Sequence, residues 1–366
     1  MKMTMLKKLT KTALMLTLVM TIVSCTNEDN NVVPELQLPS TYNSTSYNAN
    51  VTAEDAVIGE LLTMTGELNA AEANAQTTTV APISFPQTLS TITQPDYRAL
   101  VQGWLTELVN SANSTTGFQN PGLNGSPAQG EQGGLLGTRL LDENGLELEQ
   151  MIEKGLFGAA LYNHAIDVIQ NGDLTNPATI DRLVEVHGTD ASFDPATTTA
   201  AAKYSKRRSN LTDETGLFFD IKTNLITAKA AIEGGADYNA VRDQALADYL
   251  LNWEKSNFAT VIFYCYSTKV QLQNAQTDED RGNAMHAYAE GVAFAHGFKR
   301  ASQKLITDAQ IDQILVDLLA PEGQTPESFR FLNEATLINN LDRIVTDIQA
   351  IYGFSDEEVQ SFYVNN

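Results

Sequence analysis

Apolar and polar positions alternate with helical spacing over most of the second half of the chain. From Asn239 to Gln273 no Gly or Pro intervenes, and Leu246, Leu250, Trp253, Val261 and Tyr264 supply one apolar side. That pattern predicts a single helix about 50 Å long. Asp278–Arg300 opens on acids and closes on bases, which suits the helix dipole. Between them nearly every residue is small or aromatic. His286, Glu290, Ala293 and Gly297 form one stripe, and Met285, Ala289, Val292 and His296 form another. No face is made for water, so this helix is expected to be buried all round. Further helices are predicted over Asp213–Glu233, Thr307–Leu319 and Pro326–Ile351. A last one starts at Ser355, with Glu358 completing a capping box.

The first half is less regular. Helical patterns cover Val51–Asn69, a stretch from Thr93 with Pro95 in its first turn, Leu146–Gln170, and Pro177–His187, which stops at Gly188. Gly155, Gly158 and Ala159 make a small-residue patch that lets another helix approach closely. Ala70–Ser90 carries no helical signal. No run of alternating strands and no repeat of fixed period is present. The class is therefore all-α, an antiparallel helical bundle. A division into two packed bundles, with the boundary near 190–210, fits the same pattern. Lys203-Tyr-Ser-Lys-Arg-Arg208 reads as a solvated or acid-paired basic face.

Asn113–Gly145 interrupts the helices with a long glycine-rich insert. No Gly-Lys-Ser/Thr ending marks it as a phosphate loop. Inserts of this length inside a domain are often functional, and contact with an envelope protein partner is the role expected of residues 113–145.

The N-terminus has its own logic. Lys2, Lys7, Lys8 and Lys11 precede the apolar run Ala13–Val23, which is too short for a permanent bilayer span. Ile22-Val23-Ser24-Cys25 resembles the lipobox of bacterial lipoprotein signals. Residues 1–24 are thus expected to be a signal peptide, with Cys25 lipidated and attached to the membrane. Residues 25–50 would be anchor and flexible tether, and 51–366 the helical domain. Glu28 and Asp29 resemble the acidic export signal of surface lipoproteins in the Bacteroidetes group. The expected location is the outer membrane, on its periplasmic or cell-surface face.

Charge sharpens this picture. The chain carries 23 Lys and Arg against 45 Asp and Glu, a net charge of −22. Nucleic-acid binding, which needs a basic footprint, is excluded as a reading. Cys25 and Cys265 are the only cysteines, so an acylated Cys25 leaves no intramolecular disulfide. Cys265, in an apolar aromatic run, is expected in the core.

Several stretches resemble one lipoprotein family of the Bacteroidetes, catalogued as domain of unknown function 4856. They are Asn144–Ala160, Lys203-Tyr-Ser205, Ala228–Ile232, the helix bearing His286, Ala289, Glu290 and Phe294, and Ile311–Leu319. The resemblance implies a helical, lipid-anchored envelope protein. Such proteins are distantly similar to the imelysin-like group, which is linked to iron uptake and named after a peptidase. The imelysin-type signature has His and Glu three residues apart, whereas His286 and Glu290 are four apart.

His286 and Glu290 share a helix face and can point at one site. Imidazole with carboxylate suits Fe or Zn, and a facing helix would have to add ligands. His164 and Asp167 are the natural candidates. The competing reading is a buried His–Glu hydrogen bond. His296 points elsewhere and is expected to be a core residue. No Gly-x-Ser-x-Gly or His-Glu-x-x-His motif occurs, and no catalytic residue is assigned. Three functions fit: an envelope protein binding a ligand such as iron, haem or a peptide; a metal-dependent hydrolase of imelysin-like type; or a scaffold for an outer-membrane complex.

Overall fold

Helix starts follow local chemistry. Thr277, Thr307 and Ser355 each accept a hydrogen bond from the backbone N–H three residues on, and Asp280, Gln310 and Glu358 each accept one from the cap residue's own N–H. The computed structural model describes residues 33–115, 117–118 and 132–366. The signal sequence, Cys25 and its acidic neighbours lie outside the described residues, as do residues 119–131 of the insert. In chain order the helices are α1 (Tyr47–Asn50), α2 (Thr52–Asn74), α3 (Gln87–Ile92), α4 (Pro95–Ala112), α5 (Leu148–Leu156), α6 (Asn163–Asn171), α7 (Ala178–His187) and α8 (Ala200–Arg207). They continue with α9 (Leu217–Gly234), α10 (Asn239–Asn274), α11 (Asp278–Phe298), α12 (Asp308–Asp317), α13 (Ile338–Tyr352) and α14 (Asp356–Phe362). A π-helical segment, Phe157–Tyr162, joins α5 to α6.

The fold is all-α. Its only strands among the described residues are two short antiparallel ribbons, neither expected from the sequence. They are β1 (Gly134–Leu136) with β2 (Arg139–Leu141), and β3 (Ser209–Asn210) with β4 (Thr215–Gly216). The first closes the insert against α4 and α11. Thr138 Oγ1 donates to Glu279 Oε1 at 2.8 Å, and Arg139 Nε to Asn283 Oδ1 at 3.1 Å.

Helix α10 is the axis. It packs along α9 on one side and α11 on the other, with α13 against it as well. Helix α11 is wedged between α10 and α5. Fifteen of its residues are buried, as its all-round apolar pattern predicts. The crossing with α5 depends on glycine. A β-carbon on Gly297 would stand 2.0 Å from Gly155 O, and one on Gly158 would stand 2.7 Å from Phe298 Cα. The small-residue patch therefore works as expected, and it receives α11.

Two expectations about domain organisation need correction. Residues Leu36–Asn366 form one compact unit, so the chain does not divide near 190–210. That stretch holds α8, whose Ala200, Ala201, Ala202, Tyr204 and Ser205 are buried against α7, α9 and α10. Nor does the tether run to residue 50. Asp181 is fully buried and collects this segment. Tyr42 Oη donates to its Oδ1 at 2.5 Å, while Ser44 Oγ and Asn50 Nδ2 each donate to Oδ2 at 2.7 Å. Lys229 Nζ adds an ion pair at 3.2 Å. Residues 42–50 are thus strapped onto α7 and α9. No helix of the described residues is long and apolar enough to cross a membrane.

Candidate functional site

Helices α5, α8, α10 and α11, with Thr65 and Asn69 of α2, surround a cleft of about 430 Å³. Its lining gathers charged groups that are largely buried. Lys154, from α5, is buried and ion-paired with Glu153. Its Nζ lies 3.7 Å from Glu290 Oε1, and Tyr204 Oη donates to that same oxygen at 3.2 Å. His286 stands beside them on α11. Its Nδ1 is 2.8 Å from Glu147 Oε2, and its Nε2 is 3.9 Å from Glu290 Oε2. The 3.9 Å gap is too long for a direct hydrogen bond, so Nε2 stays open toward the cleft.

Burial sets the protonation states. It raises the Glu147 carboxyl well above the ordinary value; neighbouring Glu72 raises it further, and Arg139 opposes. Burial likewise raises Glu149 well above the usual range. It pulls His286 down, against Glu290 and with help from Arg139 and Lys154, which keeps the imidazole neutral. Burial also disfavours the Lys154 ammonium, but Glu153, Glu149 and Glu290 outweigh it and hold the proton on. The site therefore offers a neutral imidazole, neutral carboxyls at Glu147 and Glu149, a fixed ammonium and the Glu153 carboxylate, which Lys154 holds low against burial. Two further polar atoms along the cleft, Thr65 Oγ1 and Gln150 Oε1, are buried with no partner in the protein. Buried polar atoms are normally satisfied, so unsatisfied ones lining an opening point to something that binds there.

No family model, no curated protein and no solved structure matches the chain. The site is thus read from its own chemistry.

Of the residues expected to form a site, His286 and Glu290 do meet at the cleft. His164 and Asp167 do not join them. His164 Nε2 is 2.9 Å from Glu54 Oε1, which also accepts from Arg182 Nη2 at 2.7 Å. Asp167 is exposed and accepts from Asn171 Nδ2 at 2.8 Å. The reason is position along the chain. Glu147 meets His286 and Gly155 meets Gly297, so α5 and α11 run side by side in the same direction. Residues 163–167 then lie past the C-terminal end of α11, where Asn163 donates to Arg300 O at 2.8 Å and accepts from Ser302 N at 2.9 Å. Iron or zinc does not fit the residues present. Only His286 and Glu290 point together, and the Lys154 ammonium already sits at Glu290. Among the described residues no three His, Cys, Asp or Glu side chains converge as a metal site.

The remaining histidines are core. His296 lies between the rings of Tyr97 and Trp104, at 5.6 and 5.7 Å, and burial pushes it down to about 4. His187 bonds Ser205 Oγ at 3.0 Å and is held at about 3 by burial. Cys265 is buried, as expected, and burial pushes its thiol up. The basic cluster is only in part the solvated or acid-paired face expected of it: Lys203 is exposed, whereas Tyr204, Ser205 and Arg208 turn inward. Glu147, Lys154 and Tyr204 are the site residues the sequence reading did not single out. Their one signal is that charged Glu147, Glu149 and Lys154 fall among closely spaced apolar residues.

Proposed function

We propose that this protein is a cell-envelope lipoprotein that binds a small polar ligand in the cleft beside Lys154, His286 and Glu290. The observation that carries the reading is the set of buried, mixed charges lining an open cleft, next to the unpartnered Thr65 Oγ1 and Gln150 Oε1. Burying such groups is costly, and bundle stability alone would be served as well by apolar side chains. Perturbed acids and bases gathered in a cleft are candidates for a functional site. The imelysin-like hydrolase reading is disfavoured, because its metal lacks ligands. The basic start, apolar run and lipobox at Cys25 support attachment to the outer membrane through acyl chains, and the quoted motifs support the Bacteroidetes lipoprotein family.

The test is a ligand screen by thermal shift on the chain without its signal, carrying Cys25→Ser, with Glu290→Gln and Tyr204→Phe variants alongside. Ligands that stabilise the unsubstituted cleft and lose their effect in both variants support the reading. If every stabilising ligand acts equally on all three proteins, the cleft is not the binding site. Incorporation of labelled palmitate in the native host, lost on Cys25→Ala, checks the anchor.

A further inference from the structure

The cleft lining sets Lys154, Lys203 and Arg207 beside Glu149, Glu153 and Glu290, a more basic balance than that of the whole protein. Lys203 and Arg207 lie four residues apart on α8, hence on one helix face, and both line the cleft. Lys203 is exposed and Arg207 half-buried. Among the described residues neither side chain makes an ion pair or hydrogen bond to the protein. Carboxylates are not scarce, since the chain has 45 acidic residues against 23 basic ones. Arg207 is nevertheless held in place, its guanidinium 5.0 Å from the centroid of the Tyr204 ring. The buried Lys154 ammonium lies behind, 5.6 Å from the same ring. Like charges one helical turn apart repel each other unless an anion bridges them.

Resting on the cleft-binding reading above, we propose that Lys203 and Arg207 form an oxyanion site, so that the ligand carries a carboxylate, sulfate or phosphate group. The flat guanidinium donates two parallel N–H bonds to such a group, and the ammonium supplies a third donor. Gln150 is more than nine-tenths buried, and its free Oε1 lines the same cleft with Thr65 Oγ1, ready for donors on the rest of the ligand. Tyr264 and Phe263 give an aromatic wall for its body. The local charge agrees: burial, then Arg207 and Lys154, hold the Lys203 ammonium below its ordinary value against the opposing pull of Glu153 and Glu290, and an arriving anion would relieve it.

The experiment uses the signal-free chain with Cys25→Ser and follows thermal unfolding and amide chemical shifts while sodium phosphate, sulfate or acetate replaces chloride at constant ionic strength. At least one oxyanion is expected to stabilise the protein saturably and to move resonances of α8. Lys203→Gln and Arg207→Gln are each expected to weaken that binding by about tenfold or more, the size of a lost charge-assisted hydrogen bond, and Lys206→Gln to leave it intact. Without the anion, Lys203→Gln should be at least as stable as the parent, since it removes a repulsion. The inference falls if no oxyanion outperforms chloride, or if the stabilisation survives both substitutions. Comparing the three anions separates a carboxylate site from a sulfate or phosphate site. If screened ligands still depend on Glu290 and Tyr204 while no oxyanion binds, only this inference fails.

Discussion

Glu147 Oε2 and His286 Nδ1 are 2.8 Å apart, and the carboxyl is buried while one quarter of the imidazole side chain remains exposed. The pair joins the loop before α5 to α11. Burial holds both partners in their neutral forms, so the contact is a hydrogen bond between uncharged groups and fixes which ring nitrogen faces the cleft.

Glu147 should make stability depend on pH. Its folded value lies above the ordinary 4.5, so its contribution is complete below 4.5 and is lost as pH rises through the folded value. Glu147→Gln keeps the neutral hydrogen bond without the titration. Urea unfolding is expected to show the variant gaining on the parent between pH 5 and pH 8. Glu147→Ala strands His286 Nδ1 and should cost about 1–3 kcal/mol. A difference between Gln variant and parent that stays flat with pH would mean that Glu147 does not titrate in this way.

His296 and His187 act in the opposite sense. Their folded values, about 4 and about 3, lie below the ordinary 6.5. The stability they confer is present above 6.5 and is lost as pH falls toward those values, because the unfolded chain takes up the protons first. Each should add a slope of about 1.4 kcal/mol per pH unit to acid unfolding between pH 6 and pH 4. His296→Phe, which preserves an aromatic ring between Tyr97 and Trp104, is expected to flatten the profile by one such step in equilibrium unfolding.

Gly297 and Gly59 make a matched pair. Gly297→Ala places a methyl 2.0 Å from Gly155 O and must push α11 off α5, whereas a β-carbon at Gly59 meets nothing within 4 Å. Gly297→Ala should cost about 3 kcal/mol. Gly59→Ala, in the middle of α2, should be neutral or stabilise by up to about 1 kcal/mol through helix propensity. Denaturant midpoints of the two variants decide it, and equal midpoints would show that the α5–α11 crossing is looser than described.

Asp181→Ala should free the strap formed by residues 42–50. It leaves Lys229 buried beside an empty position and removes three donors' acceptor at once. The expected cost is about 3–5 kcal/mol, the penalty for breaking a buried pair. Hydrogen exchange should show residues 42–50 losing protection before α10 does. Uniform loss along the chain would mean that the strap is not a separate unit.

Much of the fold was legible because it is written locally. The breaker-free run became α10, the capping box at Ser355 formed, and Gly188 ended α7 in the left-handed region at φ 100°. The short helix α8 was not legible. Ala200–Arg207 offers only two turns and a basic end, and its buried face makes sense only against α7, α9 and α10. Half of the site was legible as well, since His286 and Glu290 lie one turn apart on one helix. The rest was not, because the sequence does not show that α5 and α11 run in the same direction, which leaves His164 beyond the end of α11.

By itself the sequence determined that α10 would run unbroken, that Gly188 would end α7 and that α11 would be buried, because breakers and apolar stripes act within a few residues; it misplaced the start of α13, expected at Pro326 and found at Ile338. The tertiary structure decided what α11 buries. Glu147 reaches His286 across 139 residues of chain, and Tyr204 reaches Glu290 across 86. Such pairings follow from how close two helices can come, which Gly155, Gly158 and Gly297 permit, and from the direction in which α5 and α11 run past each other.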